Sequence, residues 1–292
     1  MTSNKGWSLI TVTYNSAEDL IRFPAGPLPA DVEWIVVDNG SRDESANVAL
    51  SQGARVVSLS ENVGFGRANN VGLGYATGTH IGFINPDVQI KYDDLPALAR
   101  LLDDALEECL VAPQLIDPDG TAQPNGRGVP TVLRKLGHRL NLKDTGYRIY
   151  ANPGEQIYVA WAMGAALCGK RTTIATLGGW NEAFFVYYED HDEGLRAWAH
   201  KIPVILTGDV RWVHGWARET TTFTVRPWLF EIHGAWKFFS RYPGLLISHR
   251  FLGRKYHRMR ELVGHSVVAT PGLIGSRPTE NRPPGAPKDD QV

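Results

Sequence analysis

Small polar and acidic residues gather where apolar runs of the chain end. Trp7 to Thr13 (WSLITVT) closes on Thr13-Tyr14-Asn15, Val32 to Val37 (VEWIVV) on Asp38-Asn39-Gly40-Ser41, and His80 to Ile84 (HIGFI) on Asn85-Pro86-Asp87. In an open parallel sheet, ligands sit outside the carboxyl ends of the strands. Three such ends side by side would line one crevice suited to a nucleotide. Asp38 could accept hydrogen bonds from a base or ribose, and Asp87 could hold a divalent ion against a diphosphate. Asp, Asn and Gly also end strands simply because they make turns, yet three ends alike favour the shared crevice. A second centre is Glu189-Asp190, which follows the aromatic run Phe184 to Tyr188. A carboxylate among aromatic rings loses solvation, and its proton affinity rises toward that of a useful base. The plainer alternative is that Glu189, Asp190 and Asp192 open a helix and pair with Arg196. His214 ends a later strand between Trp212 and Trp216; a lone histidine is more often structural than a metal ligand.

The elements that must position these groups alternate along the first half. Strand-like runs at Trp7 to Thr13, Val32 to Val37, Arg55 to Leu59 and His80 to Ile84 are separated by helical stretches. One of these begins at Ser16-Ala-Glu-Asp, with a capping residue and early carboxylates, and another is the glycine-studded 64 to 76. Leu95, Leu98, Leu102 and Leu106 recur at helical steps. Strands alternating with helices predict an α/β fold, a mainly parallel sheet covered on both faces. Gly64-Phe-Gly66-Arg-Ala-Asn69 has the outline of a dinucleotide fingerprint but ends in Asn and follows the third strand, not the first, which excludes a dehydrogenase. Glycine there permits close backbone approach, and Asn62 and Asn69 offer amides to a ligand.

Beyond Leu110 the pattern loosens. Asp117-Pro-Asp-Gly120 predicts a hairpin turn, and residues 124 to 155, rich in Gly, Pro and basic residues, read as a mobile loop region near a substrate entrance. Tyr158 to Leu167 reads as a strand or buried segment, Glu189 to His200 as a helix, and Val204 to Leu206 and Val210 to Val213 as two short strands. Between Arg226 and Arg260, eight Lys or Arg and one acid (Glu231) are interleaved with Trp228, Leu229, Phe230, Ile232, Trp236, Phe238 and Phe239. Such a stretch can lie on an anionic membrane, pack onto the rest of the chain or form a dimer contact. From Pro271 on, five prolines predict a disordered tail.

Thirty Lys+Arg against 31 Asp+Glu leave a net charge of −1, so no basic field recruits nucleic acid. Two cysteines, Cys109 and Cys168, exclude a disulfide scaffold and fit free thiols in a cytoplasmic protein. No apolar run approaches the roughly 20 residues needed to cross a bilayer, and the first residues do not read as a signal peptide.

In order, VTYN, VVDNGSRD, ENVGFGRANNVGLGYATG, FINPD, FFVYYEDHDEGLR and a later VH resemble the family 2 glycosyltransferases of the GT-A fold, from about Trp7 to about Trp216. The subgroup with Asn-Pro-Asp in place of Asp-x-Asp is typified by bacterial rhamnosyltransferases of cell-wall or surface polysaccharide. The resemblance implies inverting transfer from a nucleotide-diphosphate sugar to an acceptor hydroxyl, on a glycan or lipid-linked glycan. Deoxythymidine-diphosphate rhamnose is the first donor expected, ahead of UDP- and GDP-sugars. Thr13, Tyr14, Asn15, Asp38, Asn39, Ser41, Asn62, Gly66, Asn69, Asn85 and Asp87 are expected on the donor side, and Glu189 and Trp180 on the acceptor side. Asp87, with His214, would bind Mg2+ or Mn2+, and Asp190 would be the base. With Asn85 in place of an anionic residue, the ion should be held loosely without nucleotide. The expected organisation is a catalytic domain over 1–220, a basic helical extension over 221–268 and a disordered tail over 269–292. The extension would provide peripheral membrane contact at the inner face or a homodimer surface. Two rivals remain. A nucleotidyltransferase would want a glycine-rich basic loop after the first strand, where Thr13-Tyr14-Asn15-Ser16 stands. A catalytically silent sugar-binding module would not need both Asp87 and Asp190.

Overall fold

The computed structural model describes residues 6–22, 27–139, 146–215, 225–248, 250 and 252–267. The first half forms β1 (Trp7–Thr13), α1 (Ala17–Arg22), β2 (Val32–Asp38), α2 (Ser45–Ser51), β3 (Arg55–Ser58), α3 (Phe65–Tyr75), β4 (His80–Ile84), β5 (Val88–Gln89), α4 (Leu95–Asp103) and β6 (Leu110–Ile116). Then come β7 (Gly126–Arg127), α5 (Val132–Arg139), β8 (Arg148–Ile149), β9 (Gln156–Val159), β10 (Trp161–Ala162), β11 (Ala166–Lys170) and α6 (Arg171–Leu177). The chain continues through α7 (Glu189–Ala199), β12 (Val204–His214), α8 (Val225–Arg241) and α9 (His257–Leu262).

The main sheet has the order β3-β2-β1-β4-β11-β6-β12-β5, with β9 also against β12. Strands β3, β2, β1 and β4 run parallel, as do β6 and β12, while β11 lies antiparallel between β4 and β6. β1 is buried at all but one position, as a strand covered on both faces must be. Alternation along it sends Leu9 into one apolar core and Ile10 into the other. Helices α1, α2 and α4 supply the Leu9 side and α6, α7 and α8 the Ile10 side. Gly66 and Gly72 of α3 act here in packing, whereas Gly74 faces open space. A Cβ on Gly72 would lie 2.5 Å from Ile10 Cγ2, so the helix presses directly on the sheet.

Four local expectations change. Helix α4 ends at Asp103, and Leu106, beyond it, is 92% exposed. The two short strands after Ile202 are one strand, β12, whose register shifts between Thr207 and Arg211. The stretch from Tyr158 to Leu167 breaks into parts of β9, β10 and β11, since no single register serves both the main sheet and a small sheet β10-β7-β8. The region 124 to 155 is therefore not all loop: it holds β7, α5 and β8, although 140–145 lie outside the described residues. The Asp117–Gly120 turn is present, closed by Asp117 N–H donating to the Thr121 carbonyl at 2.8 Å. The Pro-rich tail expected to be disordered, and Trp216, also lie outside the described residues.

Helix α8 buries Gly234, Phe238 and, just past its end, Tyr242, at four-residue spacing. The Tyr242 hydroxyl donates to Asp192 Oδ1 at 2.8 Å, and Arg196 Nε donates to Asp192 Oδ2 at 3.0 Å. The helix-opening ion pair is thus made by Asp192, which ties α7 to α8. On the opposite face of α8, Leu229, Ile232 and Trp236 are 60%, 61% and 67% exposed. Among the described residues no helix is long and apolar enough to cross a membrane. Both cysteines are buried and unbonded.

Candidate active site

The loop after β4, the end of β12, the first turn of α1 and the start of α7 surround a cleft of about 550 Å3. Asn85, Asp87, Glu189, Asp190 and His214 all line it. The sheet register explains one meeting: His214 pairs with Val88 across β12 and β5, which sets its ring beside Asp87, Nε2 to Oδ2 at 3.3 Å. Gln123 orients that ring. Its amide NH2 donates to Asp117 Oδ1 (2.7 Å) and to the His214 carbonyl (3.0 Å), so its oxygen faces Nδ1 at 2.7 Å. Nδ1 therefore carries a proton, and Nε2 faces Asp87.

The ends of β1 and β2 are braced mainly by their own polar groups. Asp38 Oδ1 accepts from Ser41 N–H, Ser41 Oγ from Asn15 N–H, and Asn15 Oδ1 from Arg42 N–H. Asn39 donates to Asn62 Oδ1 and accepts from Val63 N–H, which fixes the approach to α3. Tyr14 is half exposed, whereas Thr13 is buried with its hydroxyl unpartnered. Asp19 of α1, not singled out in the sequence, lines the cleft; burial first and then the Asp87 charge raise its proton affinity.

Of the expected residues, Asn85, Asp87, Glu189, Asp190 and His214 line the cleft, while Thr13, Tyr14, Asn15, Asp38, Asn39, Ser41, Asn62, Gly66, Asn69 and Trp180 do not. Trp180 is 2% exposed and packs edge-on against Phe65 and Phe83. Gly66 abuts the Trp180 side chain, and buried Asn69 donates to the Phe65 carbonyl one turn back. These are packing positions of α3, which the glycine pattern alone does not distinguish from ligand contacts.

The second wall is formed by α7. Tyr187 and Tyr188 have φ of 67° and 71°, a left-handed backbone costing about 1–3 kcal/mol each for such residues, and they turn Glu189 and Asp190 to the cleft. The positive φ of Gly64 (92°) lets the start of α3 reach this turn, with Phe65 N–H donating to the Phe185 carbonyl at 2.8 Å. Asp190 Oδ1 accepts from the His191 backbone (2.8 Å) and pairs with His191 Nδ1 (2.6 Å). Among the described residues nothing hydrogen-bonds Oδ2. Lys135 Nζ lies 3.3 Å from His191 Nε2, and Trp161 stacks on the same ring at 3.6 Å. Burial and then Lys135 push His191 down to about 4, so the ring is neutral near pH 7, with Nδ1–H donating to Asp190.

The two adjacent carboxyls diverge. Burial and the charge of Asp190 push Glu189 up, and its Oε2 is buried without a partner. Burial also raises Asp190, but His191 and its hydrogen bonds, with Lys135, outweigh it and leave this carboxyl below its ordinary value. One acid is kept neutral and one ionised, the separation that divides roles between paired carboxylates. Arg127, Lys135, Trp161 and His191 are cleft residues that sequence reasoning missed. His191 stood inside the motif already quoted, while Arg127 and Lys135 fell in the stretch read as loop.

The family model "Glycosyl transferase family 2" matches residues 8–160, just over half of the chain. An N-acetylglucosaminyl-diphospho-decaprenol L-rhamnosyltransferase of Mycobacterium tuberculosis is 28% identical over 211 residues, 64% of this chain and 69% of the relative. The low-salt glycan biosynthesis hexosyltransferase Agl10 of Haloferax volcanii is 24% identical over 226 residues, 74% of this chain and 69% of the relative. Among solved structures, the mannosyltransferase PcManGT of Pyrobaculum calidifontis, in complex with GDP-Man and Mn2+, superposes with a TM-score of 0.53 at 16% identity, covering 83% of this chain and 65% of that one. S. aureus TarS 1-349 gives 0.52 at 18% identity over 71% of this chain, which spans only 60% of that protein. The fold is GT-A, and the chain belongs to the family 2 glycosyltransferases.

Proposed function

We propose that this glycosyltransferase is inverting and moves a sugar, rhamnose from its deoxythymidine-diphosphate first of all, onto a hydroxyl of a lipid-linked glycan. The observation that carries the reading is that Asp87 and Asp190, far apart in the chain, line one cleft with Asp190 held ionised. The strand ends at Thr13, Asp38 and Asn85 offer the nucleotide its polar edge. Asp190 is the base: Oδ1 is fixed by His191, and Oδ2 is left to take the proton of the attacking acceptor hydroxyl. Glu189, neutral beside it, can donate a hydrogen bond to the acceptor and does not compete for that proton. The M. tuberculosis relative's name supports rhamnose and a diphospho-lipid acceptor, and with them a place in cell-wall or surface polysaccharide synthesis.

A divalent ion fits beside Asp87 and His214. Asp87 Oδ2 and His214 Nε2 face each other at 3.3 Å, and both are ligand atoms that one cation could share. Among the described residues no third His, Cys, Asp or Glu completes a cage, so Mg2+ or Mn2+ would need oxygens of the diphosphate to fill its coordination. When bound, the ion offsets charge developing on the leaving diphosphate. The exposed apolar face of α8 supports peripheral attachment to a membrane carrying the acceptor, and two unbonded, buried cysteines support its cytoplasmic side.

A thermal-shift panel of UDP, dTDP and GDP and their sugars, each with and without Mn2+, tests the reading. We expect dTDP-rhamnose to give the largest shift and Mn2+ to add to it. A UDP- or GDP-sugar best hit would reassign the donor, and a flat panel would leave only a sugar-binding module.

A further inference from the structure

Arg127 is 6% exposed, yet it lines the cleft, and its buried Nη1 has no hydrogen-bond partner. No carboxylate of the described residues lies within ion-pair distance of it. Its nearest ring partners are Tyr147 and Trp161, with centroids 5.8 and 6.0 Å from Cζ, at the outer limit of cation–π attraction. A buried guanidinium without an anion is among the most unfavourable groups a fold can carry. Its position on β7 is secured by backbone pairing to β8 and β10, so the side chain is not needed to hold the strand. Lys135, above the Tyr188 ring at 3.7 Å, enters the same cleft from α5. Both cations stand with Asp190: Lys135 reaches His191, and Trp161 bridges Arg127 to that ring. The acids Asp19 and Asp87 line the same cleft and act on each other, which suits a cation there.

We propose that Arg127 and Lys135 form an anion subsite for a phosphate or diphosphate group on the acceptor, near the hydroxyl that Asp190 deprotonates. This rests on the transferase reading above and adds what that reading leaves open, the group by which the acceptor is recognised. A diphosphate could also arrive with the donor. The placement of both cations beside His191 and the base, through Lys135 and through Trp161, assigns the subsite to the acceptor.

Binding to the full chain, followed by calorimetry, separates the cases. The probes are farnesyl diphosphate, uncharged farnesol, and dTDP with Mn2+. Wild type should bind farnesyl diphosphate at least about tenfold more tightly than farnesol, the usual worth of hydrogen bonds to a charged group. Arg127→Gln should weaken farnesyl diphosphate about 10- to 100-fold and dTDP by less than threefold. Arg127→Lys should retain part of the affinity, and Lys135→Gln should show a smaller loss. Equal binding of farnesol and farnesyl diphosphate to wild type would overturn the subsite without recourse to any variant. A parallel loss of dTDP in Arg127→Gln would move the guanidinium to the donor and overturn the acceptor assignment. Failure of wild type to bind dTDP or any other nucleotide would instead strike the transferase reading itself.

Discussion

Two polar regions of the molecule, the ends of β1 and β2 and the start of α7, are built by different means. At the ends of β1 and β2, Asp38, Asn39, Ser41 and Asn15 bond to one another and to neighbouring backbone, one bond within a turn and the others between segments brought together by the parallel strands, so these polar groups are satisfied by the protein itself. Around α7, Glu189, Asp190, His191, Arg127 and Lys135 meet through packing of β7, β10, α5 and α7, and several remain buried without full compensation. The first region satisfies its polar groups internally. The second stores unfavourable electrostatics and backbone strain, which persist only because the surrounding core over-determines them. The difference teaches that the demanding chemistry sits where polar groups are least satisfied.

The sharpest way to break this comparison is at Asp190. Asp190→Asn should leave nucleotide binding intact while transfer falls roughly 10²- to 10⁴-fold, the usual worth of a general base. Glu189→Gln should cost far less, because its carboxyl is already neutral. Single-turnover rates on the two variants check both, and normal transfer by Asp190→Asn would mean that the base lies elsewhere.

The proposed ion is tested at Asp87. Asp87→Ala should remove any gain in nucleotide affinity on adding Mn2+. Gln123→Leu, which frees the His214 ring to turn, should reduce that gain about 10- to 100-fold, as loss of an orienting partner typically does. Titrations of dTDP with and without Mn2+ decide the matter; unchanged curves for Asp87→Ala would remove the metal from the scheme.

His191 links the comparison to pH. Its folded value of about 4 lies below the ordinary 6.5, so the stability it contributes is complete above 6.5 and is lost as pH falls through 4. Glu193 works in the opposite sense: burial pushes it to about 8, so its contribution is complete below 4.5 and is lost as pH rises toward 8. The informative quantity is therefore the difference between wild-type and His191→Phe melting temperatures across pH 4 to 7. It should shrink as the solution is acidified, and a constant difference would mean that the ring is not held neutral.

Much of the architecture was legible in the sequence. The Leu95-Leu98-Leu102 steps, the runs at Trp7 and His80 and the glycine-rich α3 all fold as their patterns require, because each element buries a face that its own spacing defines. That Asp87 and Asp190 share a cleft was legible only through family resemblance, since nothing near either residue in the chain records a wall built by separate elements. Arg127 was not legible at all. It sits on a two-residue strand, and the sign that it matters, a guanidinium buried without an anion, exists only once the chain has folded. Trp180 misled for the converse reason: an indole near a catalytic motif has the same composition whether it faces a substrate or, as here, fills the space under Phe65 and Phe83.

The smallest expected effect concerns α8, whose two faces repeat the contrast on one helix. Phe238 is fully buried beside Tyr188, and Gly234 sits against Tyr187, so the inner face supports the strained turn before Glu189. The outer face presents Leu229, Ile232 and Trp236 to solvent with no protein group gained from their exposure. Replacing all three by Ser should leave the melting temperature and the turnover of a soluble acceptor nearly unchanged, because exposed apolar side chains contribute little to the folded core. It should, however, lower the fraction sedimenting with phosphatidylglycerol vesicles severalfold, since each side chain inserted into lipid is worth about 1.5–3 kcal/mol. If wild type and the triple variant sediment alike, the outer face does not serve a membrane. If the variant loses stability instead, that face is covered by protein, and a second copy of the chain becomes the first candidate to cover it.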